Sequence, residues 1–334
     1  MKKAFTLIEL VVAVALLGIV VLFAGVIFRV SIDAYRTAGA NAEIMQKLRA
    51  ITDQLNTDFK GIRTDAPLLF RFSEDMNDPN QRYDQIMFFA DGDFQSTQLY
   101  DCTGKPGNTG EPIKGNVARI YYGQAHSLDS LDNRMKDPDV LLEKDRLLAR
   151  RQHILTADPN LDNWPNANMS DFSNSGAGGM LNEWYEHDSL SLAQWKTIKG
   201  SDYDSQIIPT CFESRPLIDM DAPNTFHKLM CEGVGSFAIQ WAYWDSGANR
   251  FYWFPVDSDF CSSCGKFFGV FFNIPNSYQF GKWYPINDPK FIGRNFSSYP
   301  KALKFTFRLY DSKGIIKEGG RAGRTFTHVV YLGD

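Results

Sequence analysis

The spacing of apolar residues separates a long N-terminal helix from the rest of the chain. The run Leu10–Phe28 holds 19 consecutive residues without charge or proline. As a helix it would extend about 28 Å, close to the hydrocarbon thickness of a bilayer. Apolar residues then recur at spacings of three and four, so we predict one helix from Phe5 to about Ile62, about 87 Å long. The apolar stripe assigned to one face of its second half is Ile32, Tyr35, Ala38, Ala42, Met45, Leu48, Ile51, Leu55, Phe59 and Ile62.

After Pro67 the pattern changes to short apolar and aromatic runs between turn residues, which predicts β-strands. The run up to Tyr310 alternates between apolar and polar residues and is followed by the turn Asp311–Gly314. We therefore predict a C-terminal hairpin whose second strand follows Gly319–Gly323. The runs predicted as strands are Leu68–Phe72, Gln85–Ala90, Val117–Tyr122, Gln152–Leu155, Ser236–Trp244, Phe251–Phe254, Phe267–Phe272, Leu303–Tyr310 and Thr327–Leu332.

The segment from about 157 to 229 is rich in Asn, Asp, Ser and Gly. We interpret it as an insertion of loops and a helix within a β-rich head, with Asp188–Ile198 as the helix. Val140–Arg150, which precedes the insertion, is predicted to be a short helix or a helix-to-strand transition. The predicted fold class is α+β, with a long N-terminal helix packed on an antiparallel β-sheet head and a large loop insertion.

Composition limits the classes of partner. The chain has 334 residues, a net charge of -4 and no long run of one sign. A nucleic-acid-binding domain usually carries a basic stripe, so we expect no nucleic-acid partner. Five cysteines are too few for a disulfide scaffold, although they allow one or two bridges in an oxidising compartment.

Three interpretations compete for the N-terminus. A cleaved secretory signal explains the basic start, but the apolar run is longer than a usual signal core and no A-x-A site follows it. A plain membrane anchor explains the length and the cytoplasmic placement of Lys2 and Lys3. Neither explains Glu9, an acid at the mouth of the apolar run.

The third interpretation is a prepilin, because the sequence resembles the type IV pilin and type II secretion pseudopilin superfamily. The residues that carry the resemblance are Lys2-Lys3-Ala4 followed by Phe5-Thr6-Leu7-Ile8-Glu9. The resemblance implies that a prepilin peptidase cuts between Ala4 and Phe5 and that the new amino group of Phe5 is methylated. The family usually has Gly before the cut, where this chain has Ala4.

Glu9 has an expected role in filament assembly. A carboxylate in or near hydrocarbon is costly and should have a partner. Cleavage gives Phe5 a positive amine, so in a helical filament Glu9 of one subunit can meet the Phe5 amine of its neighbour. The resemblance further implies a single-pass inner-membrane protein with a cytoplasmic N-terminus and a head that is periplasmic or on an extracellular filament. Its partners would be other pseudopilins or pilins and membrane lipid.

The resemblance divides the chain into four regions. Residues 1–4 are the leader, 5–28 the transmembrane helix, 29–64 the stalk helix and 65–334 the head. Within the superfamily the arrangement is most similar to the J class of minor pseudopilins, which implies a structural role at the filament tip. The segments that carry this similarity are Gln85–Ala90, Leu147–Gln152, Val234–Phe237 through Trp241, and Pro300–Phe305. A minor pilin of a type IV or competence pilus and a membrane-tethered binding or adhesion module remain alternatives.

No catalytic constellation is evident in the head. The five histidines make no H-E-x-x-H spacing, and no G-x-S-x-G motif or P-loop is present. We therefore expect a non-enzymatic protein that needs no cofactor.

The cysteines leave several interpretations open. Cys261 and Cys264 form a C-x-x-C, which fits a local disulfide, a zinc site or two turn residues. Cys211 and Cys231 are candidates for a second bridge.

Two further patterns are interpreted as structural. The segment Asp158–Asn163 is similar to a calcium loop, but Met169 stands where the bidentate Glu is required, so a solvated turn is the simpler interpretation. An aromatic cluster fits either a ligand or partner surface or, more simply, the packing of strand cores. Its members are Trp241, Tyr243, Trp244, Phe251, Tyr252, Trp253 and Phe254.

Overall fold

The computed structural model describes residues 6–73, 81–100, 106–107, 110–129, 134–136, 141–155, 186–188, 191–197, 215–219, 221–245, 249–255, 267–272 and 299–332. Its first element, α1, is one uninterrupted helix from Leu7 to Lys60. At the helical rise its 54 residues extend about 81 Å. The prediction of a single helix through the apolar run and beyond it is confirmed.

The end of α1 joins the helix to the sheet. Gly61 follows the last helical residue, and its carbonyl accepts a hydrogen bond of 2.7 Å from the backbone N–H of Asp91. The backbone N–H of Arg63 donates to the carbonyl of Phe89 at 2.8 Å. Helix, turn and strand are thus tied within three residues of the helix end.

The head is built mainly of strands. Among the described residues they are, in chain order, β1 Leu68–Ser73, β2 Gln85–Tyr100, β3 Pro106–Gly107, β4 Glu111–Gln124, β5 His126–Asp129, β6 Arg134–Lys136, β7 Leu147–Leu155, β8 His187–Asp188, β9 Leu217–Asp219, β10 Leu229–Glu232, β11 Val234–Asp245, β12 Arg250–Phe254, β13 Phe267–Phe272, β14 Ala302–Leu309, β15 Lys317–Glu318, β16 Arg321–Ala322 and β17 Arg324–Tyr331. A short helix, α2, spans Leu192–Thr197, and 3-10 turns span Glu143–Asp145 and Pro223–Lys228.

The strands of the described regions form two main sheets. The first has the order β10-β7-β4-β2-β1-β13, with β3 paired to β2 and β8 to β7. The second has the order β12-β11-β14-β17. The pairs along both paths are antiparallel, including the C-terminal pair of β14 with β17. Every run predicted as a strand coincides with a strand, although β14 ends before Tyr310 and β17 before Leu332. The predicted α+β class and C-terminal hairpin are confirmed.

The core lies where α1 packs against residues of both sheets. Ile44, Ile51, Leu55 and Phe59 are buried there. The ring of Phe59 lies 4.3 Å from that of Phe88 on β2 and 5.4 Å from that of Phe305 on β14, measured between centroids. Burial of these large apolar side chains holds the second half of the helix on the head.

One prediction about α1 is wrong. Ala38, Ala42 and Met45 were assigned to the face that packs on the head, but all three are exposed. An α-helix turns 100° per residue, so Met45 points about 120° away from Ile51. The buried arc continues through Ile44 and Ala40 instead, because spacings of three and four, summed over several turns, drift around the helix.

The described parts of the insertion pack on the first sheet. β8 pairs in parallel with the end of β7, and the ring of Trp195 on α2 lies 5.5 Å from that of Phe89 on β2. The predicted helix Asp188–Ile198 is present but shorter, since its first residue belongs to β8. Val140–Arg150 contains a 3-10 turn followed by the start of β7, as one of its two predicted alternatives states.

Candidate assembly helix and its junction with the head

The first half of α1 is a continuous apolar surface. Among the described residues α1 is the one helix long and apolar enough to cross a membrane. Its large side chains from Leu7 to Phe28 are exposed, and Leu7 itself is 82% exposed. Contiguous exposed apolar surface of this size marks a site that contacts lipid or another protein.

Glu9 lies in the first turn of this helix and completes its N-terminal cap. Thr6 is the N-cap residue, and its hydroxyl accepts a hydrogen bond of 3.4 Å from the backbone N–H of Glu9. The Oε2 atom of Glu9 in turn accepts bonds from the backbone N–H of Thr6 at 3.0 Å and from its hydroxyl at 2.9 Å. A carboxylate in the first turn also interacts favourably with the helix dipole. Glu9 is therefore held beside the backbone of Thr6, one residue from Phe5.

The other end of α1 is joined to the head through a buried charged group. Asp58 is buried on α1, and its carboxylate accepts two hydrogen bonds from Arg150 of β7, at 2.6 and 2.9 Å. The hydroxyl of Tyr122 on β4 donates to the same carboxylate, and the amide of Gln54 donates to it at 3.0 Å. Burial, and then the charge of Asp58, raise the pKa of Tyr122 well above its usual range. One helix side chain thereby fixes two strands of the first sheet.

A comparison with known families decides the character of the N-terminus. Residues 1–25 match the family model of the prokaryotic N-terminal methylation motif, which is typical of type IV pilins and pseudopilins. The chain carries a type IV pilin-like N-terminus. No similar curated protein and no similar solved structure is found. The match covers the start of the chain and identifies the first part of α1 as pilin-like. The head lies outside the match and is described from its structure alone.

The pilin-like N-terminus places the predicted processing residues just ahead of the described helix. Ala4 and Phe5 lie outside the described residues, and the cut between them stays a prediction. Glu9 lies in the first turn, where the prediction placed it. Thr6 supplies two donors to its carboxylate within the chain, and the pairing of Glu9 with the Phe5 amine of a neighbouring subunit stays a prediction.

The predicted cysteine and calcium sites fall largely outside the described residues. Cys261, Cys264 and Cys211 lie there, as does the segment 158–163. Cys231 is buried and has no disulfide partner among the described residues, and burial raises the pKa of its thiol to about 12. The pairing of Cys211 with Cys231 stays a prediction. Within the described parts of the chain no group of three or more His, Cys, Asp or Glu side chains is arranged to hold a metal ion.

The aromatic cluster divides between core and surface. Trp241 and Phe254 are buried, with ring centroids 4.7 Å apart, so strand packing explains these two. Phe251 is 54% exposed. The ring of Trp253 lies 4.7 Å below the ammonium of Lys304. The side chains of Tyr243 and Trp244 lie outside the described residues.

The sequence interpretation missed the junction residues. Asp58 falls on the same arc as Leu55 and Phe59, and a carboxylate on a buried helix arc is a signal that a partner is needed. The partner Arg150 is distant in sequence, and no local pattern identifies it.

Proposed function

We propose that the chain is a structural minor pseudopilin that assembles into a type II secretion pseudopilus through its N-terminal helix. The observation that carries the proposal is the methylation motif at residues 1–25 on an exposed apolar helix. The similarity of Leu147–Gln152 and Pro300–Phe305 to the J class supports the choice of branch and a place at the filament tip. In this proposal the head is a structural part of the filament and not an enzyme.

The proposed orientation follows from charge. Lys2 and Lys3 precede the apolar run, and basic residues are retained on the cytoplasmic side of a span. The N-terminus would then be cytoplasmic and the helix would cross the inner membrane once. The head, residues 65–334, would be periplasmic or on a filament, with inner-membrane lipid and other pseudopilins as neighbours of the helix.

Processing would supply the charge that Glu9 pairs with. Prepilin peptidase would cut between Ala4 and Phe5, and the new amine of Phe5 would be methylated. Thr6 occupies the Oε2 atom of Glu9, which leaves the Oε1 atom to accept from the amine of a neighbouring subunit. Pairing a carboxylate with an amine in hydrocarbon lowers the cost of both charges and sets the axial register between subunits.

An incorporation assay tests this proposal. The full chain is co-expressed with the other pseudopilins, and its fraction in sheared or crosslinked filaments is compared with its membrane level. Glu9→Ala should lower incorporation about ten-fold or more, the effect expected when a buried charge loses its partner. Asp33→Ala, which removes an exposed carboxylate from the same helix, should have no such effect. Normal incorporation of Glu9→Ala would refute the proposal.

A deletion strain tests the branch of the superfamily. If the chain belongs to a secretion pseudopilus, its loss should block export of secreted proteins and leave surface pili intact. Loss of pili with normal secretion would contradict the assignment and favour a minor pilin. The incorporation assay remains valid in either case, so the two parts of the proposal are tested separately.

A further inference from the structure

The outer face of the second sheet carries a polar cavity that assembly through α1 does not use. Inward residues such as Phe237, Phe305 and Phe307 belong to the core, so the residues that alternate with them face outward. A cavity of about 330 Å³ opens over this face. The polar residues that line it and enter the argument are Arg82, Glu143, Ser236, Arg308, Arg321 and Thr325.

Arg308 is held in place by uncharged acceptors. Its Nε donates to the carbonyl of Ala322 at 2.8 Å, its Nη1 to the hydroxyl of Thr325 at 3.3 Å, and its Nη2 to the carbonyl of Glu318 at 3.4 Å. Within the described regions no carboxylate lies in ion-pair distance of it. A guanidinium has five N–H groups, so Arg308 presents a fixed positive charge and further donors to the cavity.

The other positively charged side chains of this face differ in the groups that they contact. Arg82 is paired with the buried carboxylate of Asp84 and also donates to the carbonyl of Ile239. Arg321 on β16 lines the cavity and is exposed, and it has an interaction of its own. Lys304 lies two positions before Thr306 on the outer face of β14, with its ammonium over the Trp253 ring. Burial is the larger cause of the lowered pKa of Lys304, and the charge of Arg82 adds to it.

The carboxylates nearest the cavity are already engaged. The amide of Gln81 and the hydroxyl of Tyr310 donate to the two oxygens of Glu143. Glu318 is exposed at the rim, where one of its oxygens accepts the backbone N–H of Thr325 at 2.8 Å. Glu143 is thus engaged by other donors. The hydrogen bond from the backbone N–H of Thr325, followed by smaller contributions that include the charges of Arg308 and Arg324, lowers the pKa of Glu318, so its carboxylate offsets part of the charge of Arg308 without forming an ion pair with it.

We propose that this cavity binds a glutamate or aspartate side chain of an acidic, extended segment in a partner protein. Arg308 and Arg321 would hold the carboxylate, since the guanidinium fork matches carboxylate geometry. β17 is the last strand of its sheet in the described part of the chain. The backbone N–H of Thr325 on this strand already donates to Glu318, so an incoming extended segment would pair with backbone groups further along β17. This inference concerns the head alone and does not depend on the proposed role in a pseudopilus.

Peptide binding tests the inference on the full chain embedded in lipid nanodiscs. The probe is a capped hexapeptide of alternating serine and glutamate, and its control replaces glutamate by glutamine. The dissociation constant is measured by calorimetry at low salt and at about 0.5 M salt. The higher concentration shortens the Debye length to a few ångströms and so screens the charges. The glutamate peptide should bind at least ten-fold more tightly than the control at low salt and lose that advantage at high salt.

Three variants locate the site. Arg308→Gln and Arg321→Gln should each weaken binding about ten-fold, and Arg321 is an exposed residue whose replacement leaves the core intact. Arg324→Gln is the matched control, because its guanidinium stacks on Phe326 and does not line the cavity. Equal binding of the two peptides, equal loss in Arg324→Gln, or equally tight binding of inorganic phosphate would each overturn the inference.

Discussion

Asp58 of α1 and Arg150 of β7 form a buried two-point ion pair, with Nε–Oδ2 at 2.6 Å and Nη2–Oδ1 at 2.9 Å. The pair joins the part of the helix that packs on the head to β7, which lies next to the end strand β10 in the described part of the first sheet. Burial lowers the pKa of Arg150, but the hydrogen bonds to Asp58 and the charge of Asp58 raise the pKa of Arg150 above its ordinary value.

Breaking this pair should be costly. Arg150→Met leaves Asp58 buried without a counter-charge, so we expect the free energy of unfolding to fall by about 3–5 kcal/mol. The double variant with Asp58→Asn should lose less than the sum of the two single losses. Denaturant unfolding of the full chain in detergent, followed by tryptophan fluorescence, measures these values. Arg49→Met, at an exposed position of the same helix, should change stability by at most about 0.5 kcal/mol. Additive losses would contradict a direct pair.

Gly61 is expected to be intolerant of a side chain. A Cβ atom at this position would overlap the carbonyl oxygen of Asp91, the residue whose backbone N–H donates to the carbonyl of Gly61. Gly61→Ala should therefore destabilise the head by about 1–3 kcal/mol. Gly39→Ala is the matched control, because nothing lies within 4 Å of its Cβ and alanine favours the helix by up to about 1 kcal/mol. Equal effects at both positions, measured by thermal unfolding, would refute the close approach.

The aromatic cluster should behave as core where it is buried. The Trp241 ring lies 5.4 Å from Phe70 and 5.6 Å from Phe272 between centroids. Trp241→Ala should cost about 3–5 kcal/mol of unfolding free energy. Phe251→Ala, at an exposed site on the neighbouring strand, should cost less than about 1 kcal/mol. A similar loss of unfolding free energy at both positions in denaturant titrations would contradict the assignment of Trp241 to the core and of Phe251 to the surface.

Asp311 gives the C-terminal turn a predictable pH dependence. Burial raises the pKa of this carboxyl, but hydrogen bonds from the amides of Ile315 and Ile316, at 2.8 and 3.0 Å, bring it below its ordinary value. A folded pKa below the unfolded pKa adds stability that is present above about pH 4 and is lost as the pH falls through the folded value.

The Asp311→Asn variant isolates this contribution. We expect it to lose about 1–2 kcal/mol at neutral pH, because it weakens charge-assisted hydrogen bonds. The difference from the unaltered chain should shrink below about pH 4, in urea unfolding measured from pH 2 to 7. Asp53→Asn, an exposed helix position, serves as control. A difference that stays constant or grows on acidification would contradict the assignment.

Local periodicity predicted the elements of the fold but not how they meet. The alternation around Phe305 predicts a strand, and the apolar run ending at Phe28 predicts a helix. Each can be predicted because the pattern lies among residues that are neighbours in the sequence. The orientation of α1 on the head depends on packing against distant strands, and the prediction for Met45 was wrong for that reason. Arg150 was noted only as part of a resemblance, since its partner Asp58 is 92 positions away. At the N-terminus, Glu9 was recognised because spacing and chemistry coincide within a few residues.

Mass spectrometry of the mature N-terminus tests the central claim most directly. The full chain is purified from membranes that contain prepilin peptidase, and its N-terminal peptide is sequenced. We predict that the first residue is Phe5 and that its amino group is methylated, with Glu9 retained in the mature helix. A mature chain that still begins at Met1, or one cut beyond Phe28 as a secretory signal would be, would contradict the assignment.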